Sequence, residues 1–234
     1  TLANLAYHPY YTRAGGVPTL EMQILVPIQE HNEFDFNILL IVERLKNNPT
    51  YVQMAKETYD GRTPDAFVIT RSLACFERSL ISGYSRYDQF ENYNKNTLSK
   101  SEQRGMGLFF SDKTNCSSCH SDFNFTNYAF ENNGLYEKYT DEGRFRLTQN
   151  ETDKALFKVP TLRNIELTSP YMHDGSFQTL EEVVEHYSLG GKNHPNKSEL
   201  VHSLDLSKRE KADLVAFLRS LTDKSFVQNP LFKN

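Results

Sequence analysis

The chain has no tryptophan, 3 cysteines and no excess of basic residues. It also lacks any apolar run approaching the ~20 residues that a membrane-spanning helix needs. Three cysteines cannot frame a disulfide-rich scaffold. With Lys+Arg 26 against Asp+Glu 30, a net charge of -4 and a pI near 6.0, the chain is a poor match for nucleic acid. It starts at Thr1 with neither an initiator Met nor a signal peptide. A mature, processed or truncated product is expected, and its compartment has to be argued from chemistry. What is present is 234 residues, enough for one large or two small domains, at 38% hydrophobic, 24% charged and a mean hydropathy of -0.61. Aromatic content comes from 13 Tyr and 16 Phe.

Two of the cysteines stand in Cys116-Ser117-Ser118-Cys119-His120. C-x-x-C-H is the attachment signal for c-type haem, with two thioethers to the vinyl groups and the adjacent His beneath the iron. Half a zinc site would need further ligands, and no second Cys pair exists. A thioredoxin-like C-x-x-C would need a βαβ setting, and none is visible. Cys75 lies in an apolar helical stretch and reads as a small buried hydrophobe.

Residues 1–32 read as loop-rich. Helices are expected at 36–46, at 50–59 ending on Asp60-Gly61, and from Pro64 to Ser82, the last with Phe67, Val68, Arg71, Leu73 and Leu80 along it. Residues 83–97 are the linker candidate, dividing an incomplete domain at 1–90 from a haem domain at 91–234. Ser99–Glu102, Thr179–Glu182 and Ser207–Glu210 are capping-box patterns that open three helices. The stretch 121–160 has no clear period and is expected to be loop, wrapped on the haem by Phe123, Phe125, Tyr128 and Phe130. The outline is mainly α and cytochrome c-like, with long loops.

Seven identities recur at an offset of 160, including Thr1/Thr161, Asn4/Asn164, Gly15/Gly175 and Thr19/Thr179. Pro9-Tyr10 matches Pro170-Tyr171 one residue out of step. The chain thus reads as two related haem domains, the first truncated, with a second C-x-x-C-H expected ahead of Thr1. Leu180, Val183, Val184 and Tyr187 share one helix face, and Tyr187 can ligate iron. Its counterpart Pro27 cannot, so the first haem would keep an open position for peroxide. Glu33, with Gln23 near it, could shuttle the proton of O–O cleavage, although an exposed acid is the plainer reading of Glu33. Met172 is the other axial candidate, since His/Met is a common cytochrome c pair. His186 points off the shared face.

Val159-Pro160-Thr161-Leu162-Arg163-Asn164, Leu167-Thr168-Ser169-Pro170-Tyr171-Met172-His173-Asp174-Gly175 and Val184-Glu185-His186-Tyr187 with Gly190-Gly191 resemble the bacterial dihaem cytochrome c peroxidase and MauG family. The resemblance implies an electron-transferring haem and a peroxidatic haem, with calcium between the domains. It assigns Cys116, Cys119 and His120 to the electron-transfer haem, Glu33 and Gln23 to the peroxidatic pocket, and the Thr168 and Pro170 carbonyls to calcium. The axial position lies fourteen residues beyond His173, where peroxidases carry Met, MauG-type members carry Tyr and this chain carries Tyr187. Met172 is kept as the alternative. The family's Phe-Trp-Asp-Gly-Arg stretch is replaced by Tyr11-Thr12-Arg13-Ala14-Gly15-Gly16. Tyr10, Tyr11 and Phe34 all stand open as substitutes for its Trp.

The activity implied is periplasmic reduction of hydrogen peroxide, with electrons entering from a small donor protein such as a cytochrome c. A MauG-type protein-oxidising enzyme and a monohaem electron carrier are the alternatives, and a homodimer is an open option.

Overall fold

A computed structural model describes residues 1–93 and 96–232. The described backbone is mostly helical and falls into two compact units, residues 2–80 and residues 81 onward.

In the first unit α1 (Leu20–Gln23) and α2 (Leu25–Gln29) are followed by α3 (Ile38–Lys46), α4 (Pro49–Thr58) and α5 (Ala66–Ser79). Its small core gathers Leu5, Tyr11, Leu20 and Ala74. Asn37, Asn48 and Asp65 cap α3, α4 and α5 by accepting backbone N–H bonds. The buried side of α5 is Val68, Ile69, Thr70 and Ala74. Phe67 and Leu73 lie outside that stripe, 42% exposed each, and Cys75 beside them is exposed rather than buried. One residue along a helix turns the side chain by about 100°, so the neighbour of the fully buried Ala74 leaves the core.

The second unit holds α6 (Arg86–Tyr93), α7 (Lys100–Phe109), α8 (Cys116–Cys119), α9 (Phe145–Thr148), α10 (Leu180–Ser188), α11 (Lys208–Ser220) and α12 (Lys224–Val227). Strands β1 (Phe130–Glu131) and β2 (Phe157–Lys158) pair antiparallel inside the stretch expected to be loop. All three capping boxes form, at Ser99, Thr179 and Ser207. Residues 83–97, expected as a linker, instead contribute α6 to this unit, and the division between units falls at 80/81 rather than 90/91. Residues 94 and 95 of that stretch lie outside the described residues. Sequence periodicity misses α6 because much of what holds it is polar. Asp88 on α6 is 2% exposed and accepts from the Ser85 N–H at 2.7 Å and from Arg163 at 2.5 Å. Tyr87 adds an aromatic contact, its ring 5.2 Å from that of Phe125 and 5.6 Å from that of Phe217.

The core of this unit is built where α7 crosses α11, with Phe109, Phe217, Leu214, Leu218 and Leu221 buried. The crossing is close. A Cβ on Gly105 would lie 1.9 Å from the Asp213 carbonyl oxygen and 2.5 Å from its carbonyl carbon. Backbone on both sides cannot give way as a flexible side chain would, so Gly105→Ala has to force the helices apart. We expect a loss of about 1–3 kcal/mol, the range for overpacking. Gly107→Ala is the control, because nothing lies within 4 Å of a Cβ there. Urea midpoints should drop for Gly105→Ala only; equal midpoints would contradict the crossing.

The repeat is present in three dimensions. Asn4 and Asn164 both take left-handed backbone, φ 62° and 58°, ahead of matching 3-10 turns. Tyr11 bridges Val17 as Tyr171 bridges Phe177, and each tyrosine hydroxyl donates to the carbonyl six residues earlier, Leu5 at 3.2 Å and Ile165 at 3.1 Å. Tyr11 and not Tyr10 is therefore the partner of Tyr171, and only the prolines are out of step. The halves differ at the next helix. Pro27 lacks an N–H and its ring crowds the Gln23 carbonyl four residues back, and the helix is interrupted between α1 and α2 at Ile24. With Tyr187 in that place, α10 runs unbroken from Leu180 to Ser188.

Candidate functional site

The site in the second unit is built on the single turn of α8. Asn115, at φ 52°, starts the turn, which sets both thiols on one short helix and His120 at its C-cap. Cys116 and Cys119 are free and half-buried. Burial pushes the Cys116 thiol up and the Cys119 thiol up to about 11, so both stay protonated at neutral pH.

His120 Nδ1 lies 3.0 Å from the Phe125 carbonyl. Burial lowers the pKa of this ring, with the Phe125 and Pro160 carbonyls acting the other way, so the imidazole is neutral. A carbonyl only accepts, so Nδ1 carries the proton and Nε2 carries the lone pair. A backbone acceptor on the far nitrogen is what orients a ligating histidine and fixes its tautomer.

The acceptor is itself held in place. Phe125 takes φ 50° and is 2% exposed, its ring 6.0 Å from Phe109. Arg163, also 2% exposed, lies 4.5 Å over the Phe123 ring and 5.4 Å over the Phe125 ring. Its Nε donates to the Phe123 carbonyl at 2.8 Å while its guanidinium pairs with Asp88. A buried ion pair thus anchors the loop that presents the Phe125 carbonyl. The repeat carried a signal for this residue, since Arg163 stands opposite Ala3 in an otherwise matching segment.

Tyr187 and Met172 are brought to the same place. The side-chain amide of Asn133 lies 3.4 Å from the Tyr187 hydroxyl and 3.2 Å from the Met172 sulfur. Tyr187 follows Leu180 and Val184, both buried, along α10. Burial raises its phenol pKa, Asn133 works to lower it, and the nearby Cys116 and Cys119 raise it further. Met172 takes left-handed backbone, φ 72°, as does its counterpart Thr12 at 68°. The repeat therefore gives a non-ligating counterpart to both axial candidates. His186 Nε2 donates to the Asn133 carbonyl at 3.0 Å and is accounted for as a satisfied histidine.

Among the described residues, no three His, Cys, Asp or Glu side chains converge as they would on a zinc ion. Two thiols on one turn, a neutral imidazole with Nε2 unprotonated and a phenol near both sulfurs fit a haem bound through thioethers.

The other expected residues are more dispersed. Gln23 closes α1, half-buried, and Glu33 is exposed in the turn after α2, its N–H donating to the Glu30 carbonyl at 3.0 Å. No hydrogen bond joins the two side chains among the described residues. Thr168 and Pro170 lie on the segment between the 3-10 turn Ile165–Leu167 and Tyr171, Pro170 exposed. No described helix is long and apolar enough to cross a membrane.

The family described as di-haem cytochrome c peroxidase matches residues 1–96. The methylamine utilization protein MauG of Methylorubrum extorquens is 34% identical over 220 residues, covering 93% of this chain and 62% of that protein. The cytochrome-c peroxidase IdrP1 of Pseudomonas sp. strain SCT is 31% identical over 254 residues, covering 95% and 67%. Among solved structures, a MauG-like protein associated with microbial copper homeostasis superposes with a TM-score of 0.93 at 32% identity, over 99% of this chain and 77% of that one. The chain thus spans roughly two thirds of these two sequence relatives. A matching profile, relatives of both kinds and a near-complete superposition place the chain in the dihaem cytochrome c peroxidase and MauG family.

Proposed function

We propose that this chain carries one haem c, joined to Cys116 and Cys119 and ligated by His120 and Tyr187, within a periplasmic dihaem enzyme that reduces hydrogen peroxide. The observation that carries the reading is the His120 Nδ1 bond to the Phe125 carbonyl, which leaves the Nε2 lone pair free to ligate on the residue that caps the turn of the two thiols. Bound there, the haem would take electrons from a small donor protein and pass them on. The protein's own part is to hold: α8 fixes the thiols, Phe125 fixes the imidazole, and α10 brings up the phenol.

The same reading assigns calcium to the Thr168 and Pro170 carbonyls and the proton shuttle of peroxide cleavage to Glu33, with Gln23 as a further residue of the peroxidatic pocket. Glu33 sits on the exposed turn after α2. In the complete enzyme, Glu33→Gln should lower peroxide turnover by about 10²–10⁴-fold, the usual range for general acid–base catalysis, with haem spectra unchanged. A wild-type rate would remove Glu33 from the mechanism.

The second reading is a MauG-type enzyme that oxidises a partner protein. It is favoured by Tyr187, because an anionic oxygen ligand stabilises oxidised iron. Turnover with reduced cytochrome c separates the two, being fast for the first and slow for the second. Haem count in the complete protein separates a plain monohaem electron carrier from both.

A further inference from the structure

Asn133 has no part in the functional reading, yet its side-chain amide bonds both axial candidates. We infer that Asn133 is a positioning residue that selects Tyr187 over Met172 as the axial ligand, by donating a hydrogen bond that rewards the oxygen and restrains the sulfur. This rests on the haem assignment proposed above.

The geometry of the amide is determined on both sides. Its Oδ1 accepts from the Leu135 N–H at 3.2 Å, which turns the NH2 group toward Met172 and Tyr187. The backbone is held as well. The Asn133 carbonyl accepts from His186 Nε2 at 3.0 Å, and a Cβ on Gly191, at φ 65°, would come within 2.8 Å of that carbonyl oxygen. His186 thus belongs to the apparatus that seats Asn133, although it neighbours Tyr187 in sequence.

An NH2 group has two hydrogens, one for each candidate ligand. The acceptors are unequal. A thioether sulfur is a weak acceptor in every state, and the bond to Met172 holds the side chain without strengthening. A phenolic oxygen becomes a strong acceptor once it is anionic, because a charge-assisted hydrogen bond is roughly twice as strong as a neutral one. The ligating form of tyrosine is the anion. Asn133 therefore gains most when Tyr187 is the ligand.

The test uses the haem-loaded chain with Asn133→Asp, Asn133→Leu and Tyr187→Phe. Asp keeps the shape and the acceptor for Leu135 but replaces the donor by an oxygen, so a merely structural role would leave it like wild type. Both Asn133 variants should weaken Tyr187 ligation by about 10- to 100-fold, the worth of a hydrogen bond to a charged group. Cyanide affinity of the ferric haem should rise by that factor. The weak long-wavelength band of a ferric thioether ligand should appear, and it should vanish again when Met172→Leu is added. Wild-type spectra and cyanide affinity in both Asn133 variants, with Tyr187→Phe altering both, would overturn this inference and leave the haem assignment standing. A silent Tyr187→Phe would overturn the axial assignment and the inference with it.

Discussion

Changing Cys116 and Cys119 to alanine should leave the second unit without covalent haem and largely without fixed tertiary structure. The helices there are short and the connections long. Among the described residues only α7, α10 and α11 exceed eight residues, and long stretches of 121–160 and 189–206 lie outside helices and strands. The core centres on the α7–α11 crossing, with Cys116 packed at its margin. Much of the remaining order has to come from a ligand present only in the folded state, and such binding adds directly to folding free energy. The variant should retain part of its far-UV helix signal, lose its near-UV signal and melt over a broad range. A cooperative melt near the wild-type temperature would show that the haem is not needed for the fold. Single changes should be milder, because one thioether and the His120 bond would still hold the group.

Tyr187→Phe should open the ferric haem to exogenous ligands and raise its reduction potential. The ring is kept, so packing along α10 with Leu180 and Val184 is little disturbed and the loss is that of one oxygen. A phenolate favours ferric over ferrous iron, and the identity of the axial ligand is a main control on haem potential. Without it the potential moves up. Cyanide should bind at least ~10-fold tighter, the least that losing a hydrogen-bonded anionic ligand is worth. Met172→Leu should change neither property. The opposite pattern, with Met172→Leu altering the spectrum and Tyr187→Phe silent, would give the axial place to Met172. The two residues share one amide, at 3.2 Å and 3.4 Å, so spectroscopy on the loaded protein has to separate them.

Features with a local chemical cause were legible in the sequence. Each capping box needs only two side chains three residues apart, and all three formed. The offset of 160 was legible because it repeats turn-forming residues whose backbone demands are local, such as Asn4 and Asn164. The C-x-x-C-H turn was legible for the same reason. What stayed hidden depends on partners far along the chain. Nothing near Asp88 announces Arg163, 75 residues away, so α6 read as a linker. Nothing near Asn133 announces Tyr187, 54 residues on, and the segment lacks a period of its own. Cys75 is a different case, because an apolar stretch is not the same as an apolar face and a single helical step carries a residue from core to solvent.

Covalent attachment of haem to Cys116 and Cys119, with His120 as its ligand, underlies every expectation for the haem site. Its most direct test is the intact mass of the chain made in cells with c-type maturation machinery, denatured and treated with a thiol-alkylating reagent. The expected result is a gain of one haem per chain that survives denaturation, with Cys75 alkylated and Cys116 and Cys119 protected. A haem-free mass with all three thiols alkylated would contradict it.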